Sequence, residues 1–203
     1  MVGAQIRALG MTVVDLGNVP DDPAQIGNTL ERAATMADCI VTAGGVSVGE
    51  EDHVRSQIEA RGELALWKLA IKPGKPLAYG SVQGTPIFGL PGNPVSAWMT
   101  FALVAKPWLL KRQGGSVRPA FRFPVRAAFI RERAGAREEF LRVSLTGKGE
   151  TMRANALTNQ SSGVLSGLSE ADAVAVIPAG TTVSQGDYLE VITLSDLLDA
   201  GVA

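Results

Sequence analysis

The sequence is short of the residues on which nucleophilic and metal chemistry most often rests. Its 203 residues include one cysteine, Cys39, and one histidine, His53. A single cysteine excludes an internal disulfide and suits a reducing compartment. One of each residue leaves no Cys/His set for zinc. The formal net charge is −1, so there is no broad basic field for nucleic acid or an anionic membrane. Any anionic ligand must be held by local groups. No run approaches the ~20 apolar residues that cross a bilayer. The opening MVGAQIRALG lacks the long apolar centre of a secretory signal. These absences predict a cytoplasmic chain with neither nucleic acid nor membrane as partner.

Apolar residues make up 46% of the chain and charged residues 19%, a balance that favours a packed core over disorder. Val2, Ile6 and Leu9 fall at helical spacing, and Gly10 is in the stop position. MTVVDLG (11–17) reads as a strand. Asp22 and Pro23 are the N-cap and first residue of a helix carrying Ile26 and Leu30. CIVTA (39–43) is an apolar run of the kind found in buried parallel strands. A helix from about Glu50 to Arg61 follows, then a strand over ELALWKLAI (63–71). PLAYGSV (76–82) and TPIFGL (85–90) flank Gln83-Gly84 as a hairpin. Asn93 and Pro94 open an apolar helix reaching Leu110, kinked or restarted at Pro107. This alternation predicts a layered α/β domain over 1–113. From 114 to 203 the texture changes to short alternating runs, which predict a small β-barrel-like domain.

Three segments have the composition of a binding site. GVSVG (45–49) matches the G-x-S-x-G pattern of serine hydrolases, but no histidine follows His53 to take a proton from Ser47, which excludes that chemistry. A glycine-rich strand-to-helix turn instead exposes backbone N–H groups to an anion. Glu50, Glu51 and Asp52 come next; they either stabilise a helix N-terminus or hold a divalent cation. Asp22 is accounted for as a cap, whereas Asp21 has no local role at an edge where α/β sheets bind ligands. In KLAIKPGKP (68–76), Lys68 and Lys72 are four apart and share one face of an extended chain, as an anion site or as a solvated edge. In FGLPGNPVSA (88–97), Pro91 and Pro94 stiffen the turn between strand and helix. NQSSG (159–163) reads as a polar turn and Arg142 as an exposed strand residue.

TAGGVSVGEED, KLAIKPGKPLAYG and FGLPGNPVSA, in that order, resemble the molybdopterin molybdenumtransferases, the family of the bacterial MoeA proteins and the gephyrin E domain. The resemblance implies a three-layer domain like that of the molybdopterin adenylyltransferases (MoaB/Mog-like), followed by a small all-β barrel-like domain. It implies insertion of molybdate into adenylylated molybdopterin with Mg²⁺-dependent release of AMP. Asp21 and Asp52 would be carboxylates near the pyrophosphate and its metal, and Lys68 and Lys72 would face the anionic substrate. Gly44, Gly45, Ser47 and Lys75 would lie along the phosphates, and Pro91, Gly92, Asn93, Pro94 and Ser96 would form the pocket wall. Arg142 and Ser162 would line the far side of the same cleft. Family members also carry an N-terminal half that this sequence does not contain, so a homodimer, another homo-oligomer, or association with a chain supplying that half is expected. A molybdopterin adenylyltransferase and a non-catalytic scaffold module are the alternatives.

Overall fold

The structure, a computed structural model, describes residues 1–46 and 53–198. It divides into two compact units, one of Met1–Leu69 with Gly74–Lys106 and one of Ala70–Pro73 with Pro107–Ala203. The second unit thus includes residues 107–113, which the change of texture at 114 leaves in the first, and it also takes in four residues from the middle of the first.

In the first unit, α1 (Val2–Ala8) is followed by α2 (Pro23–Met36), β1 (Ile40–Ala43), α3 (His53–Arg61) and β2 (Gly62–Lys68). The Asp22 side chain accepts a 2.8 Å hydrogen bond from the Gln25 N–H, with Pro23 in the first helical position. The N-terminus of α2 thus forms as its cap residue dictates. β4 (Pro76–Val82) and β5 (Thr85–Leu90) make the expected hairpin. Gln83 and Gly84 both have positive φ at its tip, the conformation that matches the twist of a two-residue hairpin. The sheet order is β1-β5-β4-β2, in which β1 and β5 are parallel and the other neighbours antiparallel. Ile26, Leu30, Ile40, Val46, Ile58 and Ile87 belong to the core between this sheet and its helices.

Two expectations need correction. MTVVDLG joins no ladder among the described residues; a strand requires a neighbour, and none is supplied on this side of β1. The strand expected over 63–71 breaks after Lys68, where the Leu69 N–H donates to the Lys75 carbonyl at 2.9 Å and closes a loop. Ile71–Lys72 then forms β3, which pairs with a strand of the second unit. The apolar helix after Asn93 consists of α4 (Pro94–Thr100), a wide π-type turn over Phe101–Ala105, and α5 (Lys106–Arg112). Pro107 cannot donate to the carbonyl of Leu103, so the helix is not continuous to Leu110: the chain widens just before the proline and restarts as α5, the restart that the proline predicts.

In the second unit, β6 (Phe123–Ala127), β7 (Glu138–Thr146), β8 (Arg153–Ala156), β9 (Ala173–Ile177) and β10 (Tyr188–Thr193) arise from the five alternating runs. They pair in the order β7-β8-β6-β10-β9, and β9 returns to β7, so the ring closes without a free edge. Val125, Val143, Ala173, Ala175 and Val191 fill its interior. β3 lies beside the start of β7 in parallel, with Ile71 opposite Glu138 and Lys72 opposite Glu139. A short helix, α6 (Ser166–Ser169), follows the NQSSG turn, and α7 (Leu194–Leu198) follows β10.

Candidate functional site

The C-terminal ends of β1 and β5 lie side by side, with Ala43 opposite Leu90. Beyond them the chain makes two glycine turns. Gly44 and Gly45 have φ of 92° and 68°, a left-handed conformation that side chains disfavour. The Gly44 N–H donates to the Leu90 carbonyl at 3.0 Å. A Cβ on Gly92 would lie 3.6 Å from the Gly44 Cα, so the two turns run against each other. Pro91 is buried at the base of the second turn, Gly92 and Asn93 are exposed, and Asn93 and Pro94 are the cap and first residue of α4. Ser96 is buried in the first turn of that helix. Parallel strands ending in glycine turns with a helix start beside them are the usual ligand edge of an open α/β sheet.

β2 is antiparallel to β4, and β4 to β5, so β2 runs in the same direction as β1 and β5. Its last residue, Lys68, therefore ends at the same edge of the sheet, two strands from β5, or about 10 Å at the usual strand spacing. Lys75 comes just before β4 at that edge, and both lysines are exposed. Asp21, Gly44 and Gly45 border one hollow of about 620 Å³. Its walls include Val13, Leu16, Leu30 and Ile40, together with Thr42, whose buried Oγ1 has no hydrogen-bond partner. Among the described residues no three His, Cys, Asp or Glu gather as a metal cluster. Ser47 and Asp52 lie outside the described residues, as do Glu50 and Glu51.

The second unit holds the remaining predicted residues in a different condition. Lys72 does not continue the Lys68 strand. Its ammonium is 2.6 Å from Oε1 of Glu139, and its side chain is 56% exposed, so its charge is paired on one side and open to solvent on the other. Arg142 is not an exposed strand residue but is only 2% exposed. Its guanidinium donates to the carbonyls of Val164, Asn159 and Ser161 at 3.0–3.1 Å, and Gln160 bonds both its backbone N–H and its carbonyl. Burial pulls its pKa below the ordinary value while nearby Glu170 raises it. Arg142 thus shapes the loop that carries the half-buried Ser162 and has its charge satisfied internally. Glu139, which is at the centre of the ion pairs in this unit, was not singled out in the sequence. Only its pairing across β3 and β7 draws it to notice.

An α/β unit with a glycine-turn ligand edge and a closed five-stranded β unit defines the class. Residues 1–111 match the family described as probable molybdopterin binding domain, and residues 124–194 match the MoeA C-terminal region, domain IV. The chain belongs to the molybdopterin-binding family of the MoeA type. It is 44% identical over 109 residues to a molybdopterin molybdenumtransferase of Haemophilus influenzae, a match over 54% of this chain and 27% of that protein. A molybdopterin molybdenumtransferase of a Nostoc species is 31% identical over 204 residues, covering 95% of this chain and 46% of that protein. The crystal structure of the molybdopterin biosynthesis MoeA protein from Pyrococcus horikosii superposes with a TM-score of 0.77 and 30% identity, over 95% of this chain and 46% of that one. The chain thus spans at most about half the length of these relatives.

Proposed function

We propose that this chain is the substrate-holding part of a molybdopterin molybdenumtransferase, which inserts molybdate into adenylylated molybdopterin and releases AMP. The observation that carries this reading is that the Gly44-Gly45 turn after β1 runs against Gly92 of the turn after β5 and borders the same hollow as Asp21. Fixed backbone N–H groups beside a helix start favour a phosphate or pyrophosphate. Because prolines hold the turn, little ordering accompanies binding. Lys68 and Lys75 would add positive charge to the same edge; within the second unit, Lys72 would face an anion and Arg142 would hold the loop that carries Ser162. Preorganised charge of this kind is what transfer of an oxyanion onto a phosphorylated substrate requires.

A carboxylate donor beside a phosphate site suits Mg²⁺, which commonly takes one or two carboxylates and completes its shell with phosphate oxygens and water. Asp21 would hold it, with Asp52 as the second carboxylate, and the ion would neutralise charge on the departing AMP. Incubation of the purified chain with adenylylated molybdopterin, molybdate and Mg²⁺ tests the reading. AMP release that falls at least about tenfold in Asp21→Ala is the expected result for loss of a positioned carboxylate. Binding without AMP release would make the chain a molybdopterin-holding module, and absence of binding would overturn the proposal.

We further propose association with a polypeptide equivalent to the part of the relatives that this chain does not span, in a homo-oligomer or with a separate chain. Two observations support it. Among the described residues β1 pairs with β5 alone, at the end of the sheet order, and a free edge is a template for another strand. Segment 11–17 runs beside the same hollow without a ladder of its own.

A further inference from the structure

We propose that Glu139 is a positioning residue for Lys72, holding its ammonium in the direction from which it meets an anion; this rests on the anion-facing role of Lys72 put forward above. The Lys72 side chain is 56% exposed and Glu139's only 5%. The mobile, hydrated partner is therefore the lysine, and the fixed partner is the carboxylate in the barrel wall. A lysine on its four-carbon stem samples many rotamers, and a 2.6 Å ion pair with a fixed carboxylate selects among them.

The backbone beneath is equally fixed. Lys72 sits opposite Glu139 in the parallel register. The Glu138 N–H donates to the Ala70 carbonyl at 3.0 Å, and Arg137 Nη1 donates to the Ile71 carbonyl at 2.8 Å. Glu139 Oε2 lies 2.5 Å from Nη2 of Arg131. One buried carboxylate thus meets two cations, leaving the group with an excess positive charge on its exposed, lysine side. A structural clamp would need only Arg131, the less exposed cation at 24%. An ion pair to a half-exposed lysine contributes little stability, so what the second pair adds is direction.

Two measurements on the full chain test this. In competitive acylation at fixed pH, Glu139→Gln frees the ammonium, and Lys72 should label several-fold faster than in wild type, as expected when a charge-assisted bond is lost. Glu139→Asp should fall between the two. Purely structural loss would lower the melting temperature without singling out Lys72, so labelling that stays unchanged relative to Lys68 and Lys75 overturns the proposal. In calorimetric titration with molybdate alone, Glu139→Gln should weaken binding about as much as Lys72→Met, and the double variant no more than Lys72→Met, because coupled residues are not additive. Tighter molybdate binding in Glu139→Gln would mean that the carboxylate competes for Lys72, which also overturns the proposal. If Lys72→Met leaves molybdate binding unchanged, the anion-facing role of Lys72 fails, and the labelling result still decides whether Glu139 positions it.

Discussion

Arg142 is the clearest case in which a residue's role depends on its surroundings. In EFLRV an arginine between Leu141 and Val143 reads as the solvated position of an alternating strand, yet the side chain is enclosed and donates to three loop carbonyls. Gly167 makes the room: a Cβ there would come within 2.5 Å of Arg142 Nη1. Gly167→Ala should therefore destabilise the β unit by about 1–3 kcal/mol through overpacking, seen as a lower urea midpoint. Arg142→Met leaves those carbonyls without their donor in a buried site, and should cost at least as much, about 2–4 kcal/mol. An unchanged midpoint in both variants would show that the guanidinium is not holding the loop.

At the level of elements, adjacent aspartates separate a structural carboxylate from the one proposed to be functional. Asp22 caps α2 through the Gln25 N–H, so Asp22→Ala should lower stability by about 1 kcal/mol. Asp21 is exposed at the edge of the hollow, and Asp21→Ala should change stability by less than about 0.5 kcal/mol while removing activity. Denaturation curves beside AMP-release assays distinguish the two. Much at this scale was legible in the sequence: the cap, the hairpin turn and the five barrel runs each follow from local chemistry. The break after Lys68 was not, because β3 forms only where the distant Glu138–Glu139 pair offers it a ladder. Nor was the loss of the 11–17 strand, since extended sequence becomes a strand only beside a partner.

At the scale of the whole molecule, β1 has a strand neighbour on one side alone among the described residues, so the association proposed above should stabilise the fold. A ligand or partner that binds only the folded chain raises its apparent stability with concentration. Addition of a polypeptide equivalent to the remaining part of the relatives should raise the melting temperature and slow amide exchange in Val41–Ala43. Unaltered exchange there would place any association elsewhere.

By itself the sequence determined the two kinds of domain texture, the caps and turns, and the glycine and proline segments that mark the ligand edge. These depend on φ preferences, missing donors and hydrophobic period, all of which act over a few neighbouring residues. Tertiary structure alone decided that Lys68 and Lys72 part company, that Glu139 holds Lys72, and that Arg142 is enclosed. Burial and ion pairing depend on which distant segments meet, and strand pairing brings those together only when the chain has folded.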